Sequence, residues 1–184
     1  MSDPSVLIVD DEPAIRRLLR TSLVSQSWRV TEARTGEMAL NMATEVVPDI
    51  VVLDLGLPDM DGVEVLRRLR CTHPTLPVVI LSVRDDERGK VAALEAGADD
   101  YVTKPFSMAE LIARMRNALR HALQQEGTIP LFVSGDLTVD LVRRQIFQGE
   151  GEIRLSPREW DILRMLVRYA GRVLTHQTIM SQLW

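Results

Sequence analysis

Ser5-Val6-Leu7-Ile8-Val9-Asp10-Asp11-Glu12 is the stretch on which the reading of this chain turns. Its first five residues form a short, nearly continuous apolar run, the pattern of a strand covered on both faces, as in a parallel sheet. The run breaks off in three acids, and Pro13 opens a segment that puts Ile15, Leu18, Leu19 and Leu23 on one helical face. The same beat repeats outward. Strands are expected at residues 28–31, 50–53, 77–81 and 101–102, and helices at 36–46, 62–70, 90–96 and 107–123. Five β-α units joined by right-handed crossovers make an α/β, doubly wound, five-stranded parallel sheet.

Helix-start chemistry supports these limits. Ser107-Met108-Ala109-Glu110 and Ser156-Pro157-Arg158-Glu159 both fit a capping box, and Pro157 suits a first helical position. After Leu123 the pattern gives way to Gln124-Gln125-Glu126-Gly127-Thr128. This divides the chain into a first domain at 1–123, a linker at 124–130 and a second domain at 131–184. In the second, short strand candidates at 131–133, 137–139 and 145–147 are separated by Gly135-Asp136 and Gly149-Glu150-Gly151, the signature of antiparallel hairpins. A helix from Pro157 to Tyr169, a stop at Gly171 and a last segment from Thr175 follow.

Composition narrows the function classes. With 46% hydrophobic and 26% charged residues, and only 19 Gly and Pro among 184, collagen-like, low-complexity and disordered chains are excluded. The lone Cys71 can form neither an internal disulfide nor a multi-cysteine metal site, which points to a reducing, cytoplasmic compartment. The start at Met1-Ser2-Asp3-Pro4 lacks a basic, apolar leader, and no run approaches the ~18–20 apolar residues of a membrane span, so neither export nor a membrane anchor is expected. The net charge of −4 is uneven: residues 1–127 carry 15 Lys/Arg against 20 Asp/Glu, and 128–184 carry 7 against 6. No strong basic footprint for nucleic acid stands out.

Ligands of an open parallel sheet bind beyond the carboxyl ends of its strands, where the strand order reverses. At those ends stand Asp10-Asp11-Glu12, Asp54, Ser82 and Lys104. Clustered carboxylates repel one another unless a cation joins them, and hard oxygen ligands suit Mg²⁺. A phosphoryl group could be shared between the ion and Lys104 while Asp54 attacks as a carboxylate nucleophile. Taken singly, Asp10 or Asp11 reads as a helix cap, Ser82 as a turn hydroxyl, Lys104 as a solvated charge and Glu12 as a helix-start charge. Their joint placement at successive strand ends is what makes a site.

The blocks 6–12, 53–62 (Leu53-Asp54-Leu55-Gly56-Leu57-Pro58-Asp59-Met60-Asp61-Gly62), Leu81-Ser82 and Gly97-Ala98-Asp99-Asp100-Tyr101-Val102-Thr103-Lys104-Pro105-Phe106 resemble the receiver domain of bacterial two-component response regulators, a flavodoxin-like fold. The resemblance covers about residues 4–123. It implies a phosphoacceptor at Asp54, served by a sensor histidine kinase. It also implies Mg²⁺ held by Asp11, Asp54 and the Gly56 carbonyl, with Asp10 acting through water, and phosphoryl oxygens bound by Ser82 and Lys104. Tyr101 would turn inward on activation. Val83 stands where the family usually has a small residue, so it would narrow access to Asp54 or restrict Tyr101. Trp28 matches no site position and is assigned to the core.

Residues 128–184 resemble the opening of the winged-helix (α+β) output domain of the OmpR/PhoB class, through 155–163, Gly171-Arg172-Val173-Leu174-Thr175 and Leu183-Trp184. Within that class the chain looks similar to the Kdp-type regulators of potassium-transport operons. The class implies a homodimer formed on phosphorylation, with Lys90 and Glu110, Asp100 and Arg114, and Glu95 and Arg116 pairing across two receivers. As a bare pattern these are solvated helix charges worth ~0–1 kcal/mol each. The implied protein is a transcription regulator that assists its own phosphorylation and dephosphorylation rather than an enzyme.

Three alternatives compete with this assignment. A phosphatase using an aspartyl-phosphate commonly needs a second Asp two residues after the nucleophile, where Gly56 stands. A dinucleotide site needs a Gly-rich loop after the first strand, where acids would repel a pyrophosphate. A receiver-type interaction module without DNA output remains open, because the resemblance reaches only the first helix of a helix-turn-helix; the recognition helix and wing would then be missing, and promoter binding by this chain would be weak and salt-sensitive. Ile162, Leu166, Ile179 and Leu183 would then lack an apolar partner.

Overall fold

A computed structural model describes residues 3–83 and 87–183. Met1, Ser2 and Trp184 lie outside them, as does the Leu183 side chain. The chain divides into two compact units, one of residues 4–122 and one of 123–184 with 1–3.

The first unit alternates strands and helices: β1 (Ser5–Val9), α1 (Pro13–Val24), β2 (Arg29–Ala33), α2 (Gly36–Val46), β3 (Ile50–Leu53), α3 (Gly62–Thr72), β4 (Val78–Ser82), α4 (Glu87–Glu95), β5 (Asp100–Thr103) and α5 (Met108–Gln125). All pairings are parallel, in the order β2-β1-β3-β4-β5. The chain leaves β1 for one side and, from β3 on, builds the other, so the strand order reverses between β1 and β3. Side chains alternate along each strand between two cores. Leu7, Val9, Val51, Leu53, Val78, Ile80 and Tyr101 pack with Ala39 and Ala43 of α2, Leu66 and Leu69 of α3 and Ala93 of α4. Val6, Ile8, Ile50, Val52, Val79, Leu81 and Val102 pack with Leu19 and Leu23 of α1 and Leu111 and Met115 of α5. Trp28 is buried in that second core.

Several element limits differ from the sequence reading for physical reasons. β2 begins one residue later and runs to Ala33, because an edge strand tolerates the half-exposed Glu32. At α5, Ser107 caps the Glu110 N–H at 3.1 Å, but the Glu110 carboxylate turns to Arg114 instead of closing the box. α5 also continues to Gln125, into the expected linker.

The second unit opens with an antiparallel meander, β6 (Leu131–Ser134), β7 (Leu137–Asp140), β8 (Gln145–Gln148) and β9 (Gly151–Ile153). The three-residue β9 carries a single apolar side chain, too little for periodicity to reveal. Phe132, Val139, Ile146 and Ile153 form one cross-strand row. α6 (Pro157–Arg168) starts with the complete Ser156–Glu159 capping box and buries Trp160, Met165 and Val167, while Leu166 stays exposed. Gly171 takes the left-handed conformation expected of a helix stop, at φ +80°. α7 (His176–Leu183) follows Thr175, whose hydroxyl accepts the Thr178 N–H. Among the described residues, no helix is long and apolar enough to cross a membrane.

Gly62 marks how tightly the β3–α3 turn is built. A Cβ there would lie 2.5 Å from the Asp54 carbonyl oxygen and 2.6 Å from Leu55 Cα, both backbone atoms that cannot swing aside. Gly62→Ala should lower the unfolding free energy of the first unit by about 1–3 kcal/mol, read from urea unfolding by circular dichroism. An unchanged midpoint would show that the turn yields freely.

Candidate functional site

The site is assembled from the ends of β1, β3, β4 and β5. Asp54 follows β3, and its backbone N–H donates to the Val9 carbonyl at 2.8 Å, which fixes the end of β3 against the end of β1. Its carboxylate accepts the Gly56 N–H at 2.8 Å through Oδ2 and faces the Lys104 ammonium at 3.1 Å through Oδ1. Lys104 is positioned by its own backbone N–H, which donates to the Ser82 carbonyl at 2.8 Å. Its Nζ reaches Asp10 Oδ2 at 2.8 Å and Glu12 Oε1 at 3.4 Å. The Asp10 carboxylate also accepts the Glu12 N–H at 2.8 Å, and the Asp10 carbonyl accepts from Arg16 at 2.7 Å.

Burial separates the two neighbouring acids. Asp10 is 1% exposed, whereas Asp11 is exposed at the rim. One carboxylate oxygen from each of Asp10, Asp11 and Asp54 lies within 4.8 Å of the others, a grouping that could hold a metal ion. Burial pushes the Asp10 carboxyl above its ordinary value, and the Asp54 charge adds to this, so that the Lys104 contact and the Glu12 N–H do not bring it back down. Burial alone would lower Lys104, but its bond to Asp10 and the charges of Asp54 and Asp10 outweigh it and hold the ammonium above its ordinary value. One lysine therefore does not fully compensate the carboxylates. A hard divalent cation fits both the donor set and this shortfall of positive charge.

The remaining expected residues are distributed as follows. Ser82 is buried at the end of β4, and Tyr101 is buried with its ring turned into the first core and Lys90 Nζ 6.0 Å from its centroid. Gly56 is exposed next to Asp54, and a Cβ there would meet Asp54 Oδ2 at 3.1 Å. Val83 is 69% exposed rather than packed into the site. Asp100 and Arg114 pair within one chain, at 2.8 and 3.1 Å, and Arg114 also binds Glu110 at 3.0 Å. Arg116 reaches Gln26 at 3.3 Å, and Lys90 and Glu95 are exposed.

Sequence reasoning missed two contributors. Glu12 is more than a helix-start charge, since it reaches Lys104. Arg16, paired with Glu32 at 3.4 Å, braces the Asp10 backbone. The Glu12-to-Arg16 spacing of one helical turn was visible, but nothing local announced where either side chain would end.

Comparison with known proteins agrees with this geometry. Residues 6–127 match the family described as the response regulator receiver domain, and residues 150–184 match the transcriptional regulatory protein, C terminal. The KDP operon transcriptional regulatory protein KdpE of Escherichia coli (strain K12) is 48% identical over 180 residues, covering 98% of this chain and 80% of that protein. The transcriptional regulatory protein KdpE of Mycobacterium tuberculosis (strain ATCC 25618 / H37Rv) is 45% identical over 180 residues, covering 97% and 79%. Among solved structures, response regulator DrrB of Thermotoga maritima, an OmpR/PhoB homologue, superposes with a TM-score of 0.58 at 34% identity, covering 99% of this chain and 80% of that one.

The buried Asp10 makes a prediction about pH. Its folded-state pKa lies above the unfolded value, so the stabilisation from protonating it is present on the acid side and is lost as pH rises through the folded pKa. In the presence of EDTA, lowering the pH from neutral towards the ordinary carboxylate range should favour the folded first unit more in the wild type than in Asp10→Asn. Thermal unfolding of the two proteins across that range checks it; parallel curves would contradict it.

Proposed function

The chain belongs to the response regulators, joining a receiver domain to a DNA-binding C-terminal regulatory domain, and from this premise we propose that Asp54 accepts a phosphoryl group from a sensor histidine kinase and thereby switches transcriptional output. The observation that carries this reading is the convergence of Lys104 on Asp10 at 2.8 Å and Asp54 at 3.1 Å at the reversal of strand order. The match over residues 150–184 favours it over an interaction module without DNA output.

In the proposed transfer, an Asp54 carboxylate oxygen forms a bond to phosphorus as the phosphorus–nitrogen bond of a phosphohistidine breaks, and the electron pair returns to the imidazole. Asp11, Asp54 and the Gly56 carbonyl would hold Mg²⁺, with Asp10 acting through water, and the ion when bound would offset charge on the transferring group. Lys104 moves its ammonium from Asp54 Oδ1 to a phosphoryl oxygen, keeping Asp10 as its anchor. The Ser82 hydroxyl donates to a second phosphoryl oxygen, and Tyr101, already buried in the first core, is held in the inward position that the activated state would use. Gly56 places no acid two residues after the nucleophile, which suits a phosphoryl group retained long enough to signal. The protein thus assists its own phosphorylation and dephosphorylation and acts on no separate substrate. A cytoplasmic site of action is in keeping with its lone cysteine.

The same reading includes a phosphorylation-dependent homodimer through α4, β5 and α5, where Lys90, Glu95, Asp100, Glu110, Arg114 and Arg116 supply a self-complementary charge pattern. Arg114 already holds Asp100 and Glu110 within one chain. Lys90 and Glu95 are therefore the charges most available to a second copy.

Two measurements test these steps. Incubated with a small acyl phosphate and Mg²⁺, the wild type should incorporate label and Asp54→Asn, which keeps the shape and removes the nucleophile, should incorporate none; undiminished labelling of Asp54→Asn overturns the assignment. In sedimentation, beryllofluoride should promote self-association, Lys90→Glu should weaken it, and adding Glu110→Lys should partly restore it. Self-association indifferent to beryllofluoride overturns the dimer.

A further inference from the structure

We propose that Asp59, which the phosphorylation chemistry does not use, is a positioning residue that clamps the phosphoacceptor loop onto the N-terminus of α2 and so sets the affinity of the site for a divalent cation. This rests on the reading of Asp54 and Gly56 as part of a metal-assisted phosphorylation site.

The loop of residues 54–61 runs from Asp54 to Asp61, which caps α3 by accepting the Val63 N–H at 2.8 Å. Between these fixed ends, the Asp59 carboxylate accepts the N–H groups of Gly36 at 2.8 Å and Glu37 at 2.9 Å. These are the first two positions of α2, whose own cap, Thr35, accepts the Met38 N–H. Two backbone donors that a helix leaves unsatisfied are thus supplied from a residue more than twenty positions away, at the positive end of the helix dipole. The bonds from Glu37 and Gly36 hold the Asp59 carboxyl below its ordinary range, so the clamp is charged and closed at neutral pH. Beside it, Met60 seats on Gly36 so closely that a Cβ there would lie 2.6 Å from Met60 Cγ and from Val65 Cγ2.

This anchorage leaves a short tether, Leu55 to Pro58, between the clamp and the phosphoacceptor. Pro58 restricts the backbone on the clamp side, and the Gly56 N–H holds Asp54 Oδ2 on the other. Gly56 is exposed and, lacking a Cβ, restricts its own backbone little, so the direction of its carbonyl is set by what fixes the loop on either side of it. Released from α2, the loop would sample orientations in which the Gly56 carbonyl and the Asp54 carboxylate no longer point at one cation. Loss of preorganisation then weakens metal binding without altering the ligands themselves.

The test separates this from a plain loss of helix capping. Mg²⁺ affinity is measured by calorimetric titration, and the Mg²⁺ dependence of labelling by an acyl phosphate in parallel, for the wild type, Asp59→Ala, Asp59→Asn and Thr35→Ala. Thr35→Ala removes the other cap of α2 and leaves the loop clamp in place. Asp59→Ala should weaken Mg²⁺ binding by about three- to ten-fold, the scale of one lost capping contact, with the labelling rate at saturating Mg²⁺ within about two-fold of wild type. Asp59→Asn, which keeps one acceptor oxygen, should recover part of the affinity, and Thr35→Ala should lower the unfolding midpoint with Mg²⁺ affinity unchanged. The proposal is overturned if Asp59→Ala shifts only the unfolding midpoint, or if Thr35→Ala weakens Mg²⁺ equally. A wild type that neither binds Mg²⁺ nor takes label would instead remove the phosphorylation reading, and this proposal with it.

Discussion

One ammonium group holds this receiver site together. Lys104 brings its charge to within 2.8 Å of Asp10 and 3.1 Å of Asp54, two carboxylates that the sheet buries at the ends of adjacent strands. Buried ions of like sign are costly unless they are paired and hydrogen-bonded, and removing one partner of such a group leaves the other charges uncompensated. The Lys104 side chain is itself only 8% exposed, so it cannot exchange these partners for bulk water at little cost. With Asp10 kept as a partner, the Asp54 contact could be exchanged for another anion arriving in the same place. The phosphoryl group of the proposed function would be such an anion.

The sheet makes this arrangement possible by dividing its labour. Residues that alternate along β1 and β3 fill the two cores, so the strands are rigid up to Val9 and Leu53. The next residue of each strand emerges at the rim with nowhere to go. Because β1 and β3 are hydrogen-bonded neighbours, Asp10 and Asp54 arrive side by side. β4 and β5 then deliver Ser82 and the turn that carries Lys104, and the Lys104 N–H to the Ser82 carbonyl ties these two ends together. Outside this rim the loops are held by side chains rather than by ladder bonds, as with Arg70, which gathers the carbonyls of Leu76 and Gly97 and the Asp99 carboxylate. In the second unit the meander buries Val139 and Ile146 of its apolar row, while Ile153 stays exposed, and α6 buries Trp160, over which the Arg144 guanidinium sits at 5.8 Å.

The β-α beat, the open parallel sheet and the acids at its strand ends were determined by local sequence, because strand burial on both faces and helix amphipathicity leave periodic traces within ten residues or so. The cap at Ser156, the stop at Gly171 and the core role of Trp28 were legible for the same reason: each depends on neighbours in the chain or on a single side chain's hydrophobicity. Only the tertiary structure decided that Asp10 is buried and Asp11 exposed, since both follow the same strand and differ only in which face of the turn they take. It alone decided that Arg114 holds Asp100 and Glu110 within one chain, that Glu12 reaches Lys104, and that Asp59 leaves its own helix start to cap α2. Each of these is a long-range choice of partner for a charged side chain. Charge carries no periodicity, and the partner is settled by where the packed cores bring distant backbone together.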